Sequence, residues 1–164
     1  MSTPTIRIAT LADCEAINDI YNYYVIHSTC TYQTQPEPIE TRRAWFIAHG
    51  PAHPVTVAVL DGAVVGWGAL SRFHPRQAYA RTVETAVYVH HQYQFRGIGR
   101  AIVTDLIDRA RLLNHHTIIA LISSEQQPSV ALHEKLGFIK AGHLREAGRK
   151  FDQWLDVLYL QKIL

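Results

Sequence analysis

The stretch Val87-Tyr88-Val89-His90-His91-Gln92-Tyr93-Gln94-Phe95-Arg96-Gly97-Ile98-Gly99-Arg100 governs the reading of this chain. Apolar strand residues give way to a short loop with two glycines at i and i+2, and a helical pattern begins at the second. Glycine there lets the backbone turn tightly and come close to a ligand. The helix that follows offers unpaired N–H groups and the positive end of its dipole. Together these form a cradle for a pyrophosphate, and Arg96 and Arg100 put fixed positive charge beside it. The glycines alone fit equally well a tight strand-to-helix turn that binds nothing. A dinucleotide-binding unit would need a third glycine and a place near the start of the chain. A nucleotide-triphosphate loop would need Gly-Lys-Ser/Thr, where this chain has Gly99-Arg100-Ala101.

Working outward, Thr82 to His90 is rich in β-formers and reads as a central strand. It holds one carboxylate, Glu84, which is costly to bury unpaired. Glu84 is therefore a residue on a solvated face, a partner for an arginine, or a general base. A partly buried carboxyl with a raised pKa suits the last role, taking a proton from a substrate ammonium through a water. Upstream, Thr5 to Ala9 reads as a short strand. Thr10 is expected to cap a helix from about Leu11 to Tyr24, with Ile17, Ile20, Tyr21 and Tyr24 at helical spacing. Ser28 to Glu40 reads as a loop, and Thr41 as the cap of a helix through about His49. Val55–Leu60 and Ala63–Leu70 flank Asp61-Gly62, a strong hairpin signal. Ser71 to Arg81 is a loop. Downstream, Gly99 to Leu113 reads as a helix, Thr117 to Ile122 as a buried strand and Pro128 to Leu136 as a helix with Gly137 past its end. Phe138–Gly142 and Trp154–Leu160 read as closing strands. The expected fold class is α/β, one mixed sheet with helices on its faces.

Bulk properties suit one domain of ordinary globular composition: 164 residues, 48% hydrophobic and 18% charged. No apolar run is long enough to cross a bilayer or to act as a signal peptide, so no membrane association is expected. Two cysteines, Cys14 and Cys30, make no disulfide framework and point to a reducing cytoplasm. A net charge of +2 is too mild to argue for nucleic acid. Arg96, Arg100, Arg109 and Arg111 are too few for that purpose, and no aromatic platform accompanies them. Ten histidines invite a metal. The pairs His90-His91 and His115-His116 are adjacent, however, and point in different directions, so no metal site is expected.

Gln94-x-x-Gly97-x-Gly99 after a hydrophobic strand resembles the acetyl-CoA-binding motif of the GNAT N-acetyltransferases, and Pro128 to Phe138 resembles that family's second signature. Within the family, Arg76-Gln77-Ala78-Tyr79-Ala80-Arg81-Thr82-Val83-Glu84 is similar to the R-x-A-Y-x-x-T-V-E pattern of the phosphinothricin and methionine sulfoximine acetyltransferases. Gly142, Leu144, Arg145, Gly148 and Lys150 match that group's G-x-L-R-x-x-G-x-K pattern.

The resemblance implies a single N-acetyltransferase domain over residues 1–164, with a mixed, mostly antiparallel sheet flanked by helices. It implies acetyl-CoA as co-substrate, no metal, a small-molecule amine as acceptor, a detoxifying role and a homodimer. The backbone of Val87, Tyr88 and Val89 would pair with the pantetheine arm as an added strand. Gln94, Phe95, Arg96, Gly97, Ile98, Gly99 and Arg100 would hold the pyrophosphate. Gln126 stands where the group commonly has a coenzyme-binding asparagine. Glu84 would be the general base. His133, at a position that is often tyrosine in the family, would protonate the departing thiolate or simply bond the coenzyme; a lone helical histidine is otherwise structural. Arg76, His74 and Tyr79 form either a solvated basic loop or the acceptor pocket, with Arg76 offering a planar fork to an oxyanion and Tyr32 completing the wall. Rival readings are a polyamine, an aminoglycoside or a protein N-terminus as acceptor, or a non-catalytic acyl-CoA-binding module.

Overall fold

The computed structural model describes residues 3–164. Its strands are β1 (Thr5–Ile8), β2 (Val55–Leu60), β3 (Ala63–Arg72), β4 (Thr82–Val89), β5 (Thr117–Ser123), β6 (Ile139–Lys150) and β7 (Gln153–Ile163). Its helices are α1 (Cys14–His27), α2 (Ile39–Ala48), α3 (Ile98–Leu112) and α4 (Gln127–Lys135). The strands make one sheet in the order β1-β2-β3-β4-β5-β7-β6. Every pair is antiparallel except β4–β5, the single crossover that α3 makes.

Helices cover both faces. On one, the apolar stripe Ile98, Ile102, Leu106 and Ala110 of α3 meets Val83, Ile118 and Leu160 of the sheet. Gly68 sets how close α3 comes to β3, because a Cβ there would lie 2.5 Å from Ile102 Cγ2 and 2.8 Å from Leu106 Cδ1. On the other face, Ile17 and Ile20 of α1 pack with Val57, Trp67 and Ala69. The β2–β3 turn at Asp61-Gly62 has positive φ at both residues, 49° and 83°, the twist a two-residue hairpin requires.

The element order follows the sequence reading, but several boundaries differ for physical reasons. Before α1 the chain makes a 3-10 turn, Leu11–Asp13. There the Asp13 carboxylate accepts from the Thr10 N–H at 2.7 Å and from both terminal nitrogens of Arg7 at 2.7 and 2.8 Å. Helix α2 starts after Pro38, because the Thr41 and Arg42 N–H groups reach back to the Pro38 carbonyl. Thr41 therefore lies inside the first turn and is not its cap. Helix α3 starts at Ile98, with Gly97 as the capping residue.

The closing strands are much longer than expected. Their connection is Phe151-Asp152, with φ of 50° and 58°, so a tight turn is built without glycine and leaves little mark in the sequence. Strand β6 is irregular between Lys140 and Gly142 and between Leu144 and Gly148, and Glu146 there has φ of 50°.

Candidate active site

Pairing between β4 and β5 runs from Thr82↔Thr117 to Thr85↔Ala120 and stops, although β4 continues to Val89 and β5 to Ser123. The strands part, and a cavity of about 470 Å³ opens between them. It runs from Glu84 through Val89 to Gly97–Arg100, and α4 contributes Ser129, Leu132 and His133.

The β4 backbone is ordered to meet a ligand there. The His90 N–H donates to the Val65 carbonyl. By antiparallel alternation, Ala86 and Tyr88 turn their peptide groups to β3, and Val87 and Val89 turn theirs to the opening. The Val89 carbonyl already accepts from the Tyr24 hydroxyl, which itself accepts from Gln94 Nε2 at 2.8 Å. What remains on the open side is the Val87 N–H and carbonyl and the Val89 N–H, a strand edge. Of the three expected backbone contacts, Tyr88 is thus committed to the sheet.

At the mouth, Gly97 has φ of 79°, a conformation natural to glycine. The N–H groups of Ile98, Gly99 and Arg100, in the first turn of α3, have no helical acceptor. A Cβ on Gly99 would touch Leu132 at 3.4 Å and Val89 at 3.6 Å, ordinary contacts. Packing therefore does not demand glycine there. All three residues line the cavity, and a Cβ would take space from it. These features fit a pyrophosphate. Arg100 lines the cavity. Arg96 instead lies over the Tyr93 ring, 5.1 Å from its centroid, and Phe95 is 88% exposed at the rim.

Glu84 lies on the α1 side of the sheet with Ala86 and Tyr88, half-buried in the cavity wall. Burial alone pushes its carboxyl above the usual range. His133 is 1% exposed. Its Nδ1 is 2.8 Å from the Ser129 carbonyl, which can only accept, so Nδ1 carries a hydrogen and, in the neutral ring, Nε2 is the acceptor. Burial also pushes the imidazole pKa down. In a neutral ring with this tautomer Nε2 accepts a hydrogen bond, and giving a proton to a thiolate would need a second proton on the ring.

Other expected residues have protein partners or lie outside the cavity. Gln126 lines the cavity, but its amide donates to Thr29 Oγ1 at 3.1 Å. The Tyr32 hydroxyl donates to the Asp156 carbonyl at 2.9 Å. His74, Arg76 and Tyr79 sit in the loop before β4, where the His74 and Tyr79 rings are 4.7 Å apart and Arg76 is exposed. These three and Tyr32 do not line the cavity. Sequence reasoning missed Tyr24, Cys30, Thr85 and Leu132, which do. Tyr24 was legible only as part of a helical stripe. Lys150 anchors the wall: buried, its Nζ donates to the Ser28 and Thr31 carbonyls at 2.6 and 2.8 Å, on either side of Cys30. Among the described residues, no group of three or more His, Cys, Asp or Glu is placed to hold a metal ion.

Comparison with known proteins agrees with this geometry. Residues 17–138 match the Acetyltransferase (GNAT) family. The chain is 36% identical to the L-methionine sulfoximine/L-methionine sulfone acetyltransferase of Salmonella typhimurium, over 96% of this chain and 92% of that one. It is 36% identical to the phosphinothricin N-acetyltransferase of Streptomyces viridochromogenes, over 96% and 86%. An acetyltransferase structure from Salmonella typhimurium, solved with acetyl-CoA, superposes with a TM-score of 0.96 at 36% identity, over 99% of this chain and 95% of that one. The chain belongs to the GNAT acetyltransferase family and is an N-acetyltransferase that uses acetyl-CoA.

Proposed function

We propose that this enzyme acetylates the α-amino group of a small amino-acid analogue with a tetrahedral polar head, of the methionine sulfoximine, methionine sulfone or phosphinothricin type. One observation carries the reading: a half-buried carboxylate, Glu84, without a partner among the described residues, shares a cavity with the open edge of β4. Relatives named for those acceptors support the substrate class.

Acetyl-CoA, when bound, supplies the thioester. The first turn of α3 and Arg100 hold its pyrophosphate, and Val87 and Val89 bond its pantetheine arm. Glu84, through a water, receives the proton of the acceptor ammonium. Of the open β4 groups, the Val89 N–H and the Val87 carbonyl serve the arm, and the Val87 N–H, nearer Glu84, donates to the oxygen on which charge develops. His133 Nε2 accepts a hydrogen bond at the wall of the coenzyme arm. From the loop ahead of β4, Arg76 takes the acceptor's carboxylate or oxyanion, with His74, Tyr79 and Tyr32 around it.

The enzyme works as a detoxifying cytoplasmic homodimer. Its free cysteines suit a reducing compartment. A second copy would cover the side chains of Leu121, Ile139, Leu144 and Ile163, which lie exposed on one face of β5, β7 and β6, while α1 and α2 lie over β1 to β4.

The test is coenzyme-thiol release from acetyl-CoA with methionine sulfoximine, methionine sulfone, phosphinothricin, spermidine and an aminoglycoside. Turnover is expected with the amino-acid analogues alone. Turnover with the polycations alone would overturn the acceptor class. Arg76→Ala is expected to raise KM for the amino-acid analogue by about tenfold, with KM for acetyl-CoA unchanged; the reverse pattern would remove Arg76 from the pocket.

A further inference from the structure

Two residues on the cavity wall carry buried polar side-chain atoms that have no partner among the described residues, His133 Nε2 and Thr85 Oγ1. They are not equivalent. In the neutral ring His133 Nε2 can only accept, because Nδ1 carries the hydrogen. The Thr85 hydroxyl can donate, and of the two it is the only donor. Leaving such a group unpaired in a protein interior is costly, and native structures usually have a reason for it.

The position of Thr85 is specific. It is 7% exposed and is the last residue of β4 paired with β5, facing Ala120. It marks the closed inner end of the opening, whereas the first turn of α3 marks the mouth. Strand alternation puts Thr85 on the face of Val83 and Val87, toward α3, and Glu84 on the opposite face, toward α1. Base and hydroxyl thus border one cavity from opposite sides of the sheet. A coenzyme arm that enters at the mouth and runs along Val89 and Val87 brings its acyl end to Thr85. The thioester carbonyl oxygen has two lone pairs and no hydrogen, so beside the Val87 N–H it can take a second donor, and the Ala120 side chain opposite offers only a methyl group.

The geometry points to Thr85 as a further substrate-contacting residue of the reaction: its Oγ–H donates to the carbonyl oxygen of the acyl thioester and fixes the carbonyl at the closed end of the cavity. This rests on the acetyl-CoA reading of the cavity.

The test compares two unreactive ligands by calorimetry. One is the ketone isostere of acetyl-CoA, in which CH2 replaces the sulfur and the carbonyl is kept. The other is S-ethyl-CoA, which lacks the carbonyl oxygen. Thr85→Val is expected to weaken the ketone roughly fivefold to tenfold, the worth of one neutral hydrogen bond, and to leave S-ethyl-CoA within about twofold. Thr85→Ser should restore the ketone affinity. Equal weakening of both ligands, or of neither, would overturn the assignment. Failure of the wild-type protein to bind either ligand would instead overturn the reading of the cavity itself. Because the hydroxyl is unpartnered in the free protein, Thr85→Val should melt at or above wild type without ligand. A clear fall in melting temperature would contradict the orphan hydroxyl from which the assignment starts.

Discussion

Tyr24→Phe isolates the strut that joins α1 to the end of β4 and the loop before α3. The ring stays, so the packing against Tyr23 and Tyr88 is retained. Two hydrogen bonds go, the donation to the Val89 carbonyl and the acceptance from Gln94 Nε2. Each neutral bond is worth about 0.5–1.5 kcal/mol net, a sum of about 1–3 kcal/mol. Water in the cavity can reach the freed Val89 carbonyl, which favours the lower half of that range, about 1–2 kcal/mol. For a chain of this size that lowers the melting temperature by roughly 2–8 °C. Burial pushes the phenol up to about 12, so the effect should be constant between pH 6 and 9. Gln94 and Val89 also line the cavity proposed to take the coenzyme, and re-ordering them on binding should weaken CoA by about fivefold, near one hydrogen bond. Thermal melts give the first number and calorimetry with CoA the second. A melting temperature and a CoA affinity both equal to wild type would refute the strut.

Two further substitutions probe the frame that holds the site. Arg7 holds the Asp13 carboxyl down at about 2, so the pair's stabilisation is present above about pH 4 and is lost as pH falls towards 2. The shift corresponds to about 2.5 kcal/mol; because the Arg7 side chain is 44% exposed, Asp13→Asn should cost about 1 kcal/mol at pH 7 and nothing once the pH is well below 2, by urea denaturation. Gly68→Ala forces a methyl group into Ile102 and Leu106 of α3 and should cost about 1–3 kcal/mol in the same assay. A neutral substitution there would mean that α3 can move away from β3.

The parts of this molecule that were legible in sequence obey local rules. Asp61-Gly62 announced its hairpin because both residues need positive φ, and the α3 stripe announced its buried face. Glu84 stood out as a carboxylate in an apolar strand, and the structure gives it a cavity and a raised pKa. What escaped depends on distant parts of the chain. The parting of β4 from β5 after Thr85 is a matter of tertiary register, and no residue type signals it. The tautomer of His133 follows from a carbonyl four residues earlier, which sequence spacing allows but does not dictate. Tyr24 meets its partners across 65 and 70 residues of chain. The Phe151-Asp152 turn escaped because it reaches the left-handed region without glycine.

The central claim is that Glu84 receives the acceptor's proton, and the pH profile of kcat/KM with methionine sulfone, measured for wild type and Glu84→Gln, tests it most directly. Burial raises the carboxyl pKa, so the acid limb of the wild-type profile should lie above the ordinary glutamate value. In Glu84→Gln that limb should vanish and kcat should fall by about 10²–10⁴, with CoA affinity unchanged. A Glu84→Gln enzyme with wild-type kcat and an unshifted acid limb would contradict the account.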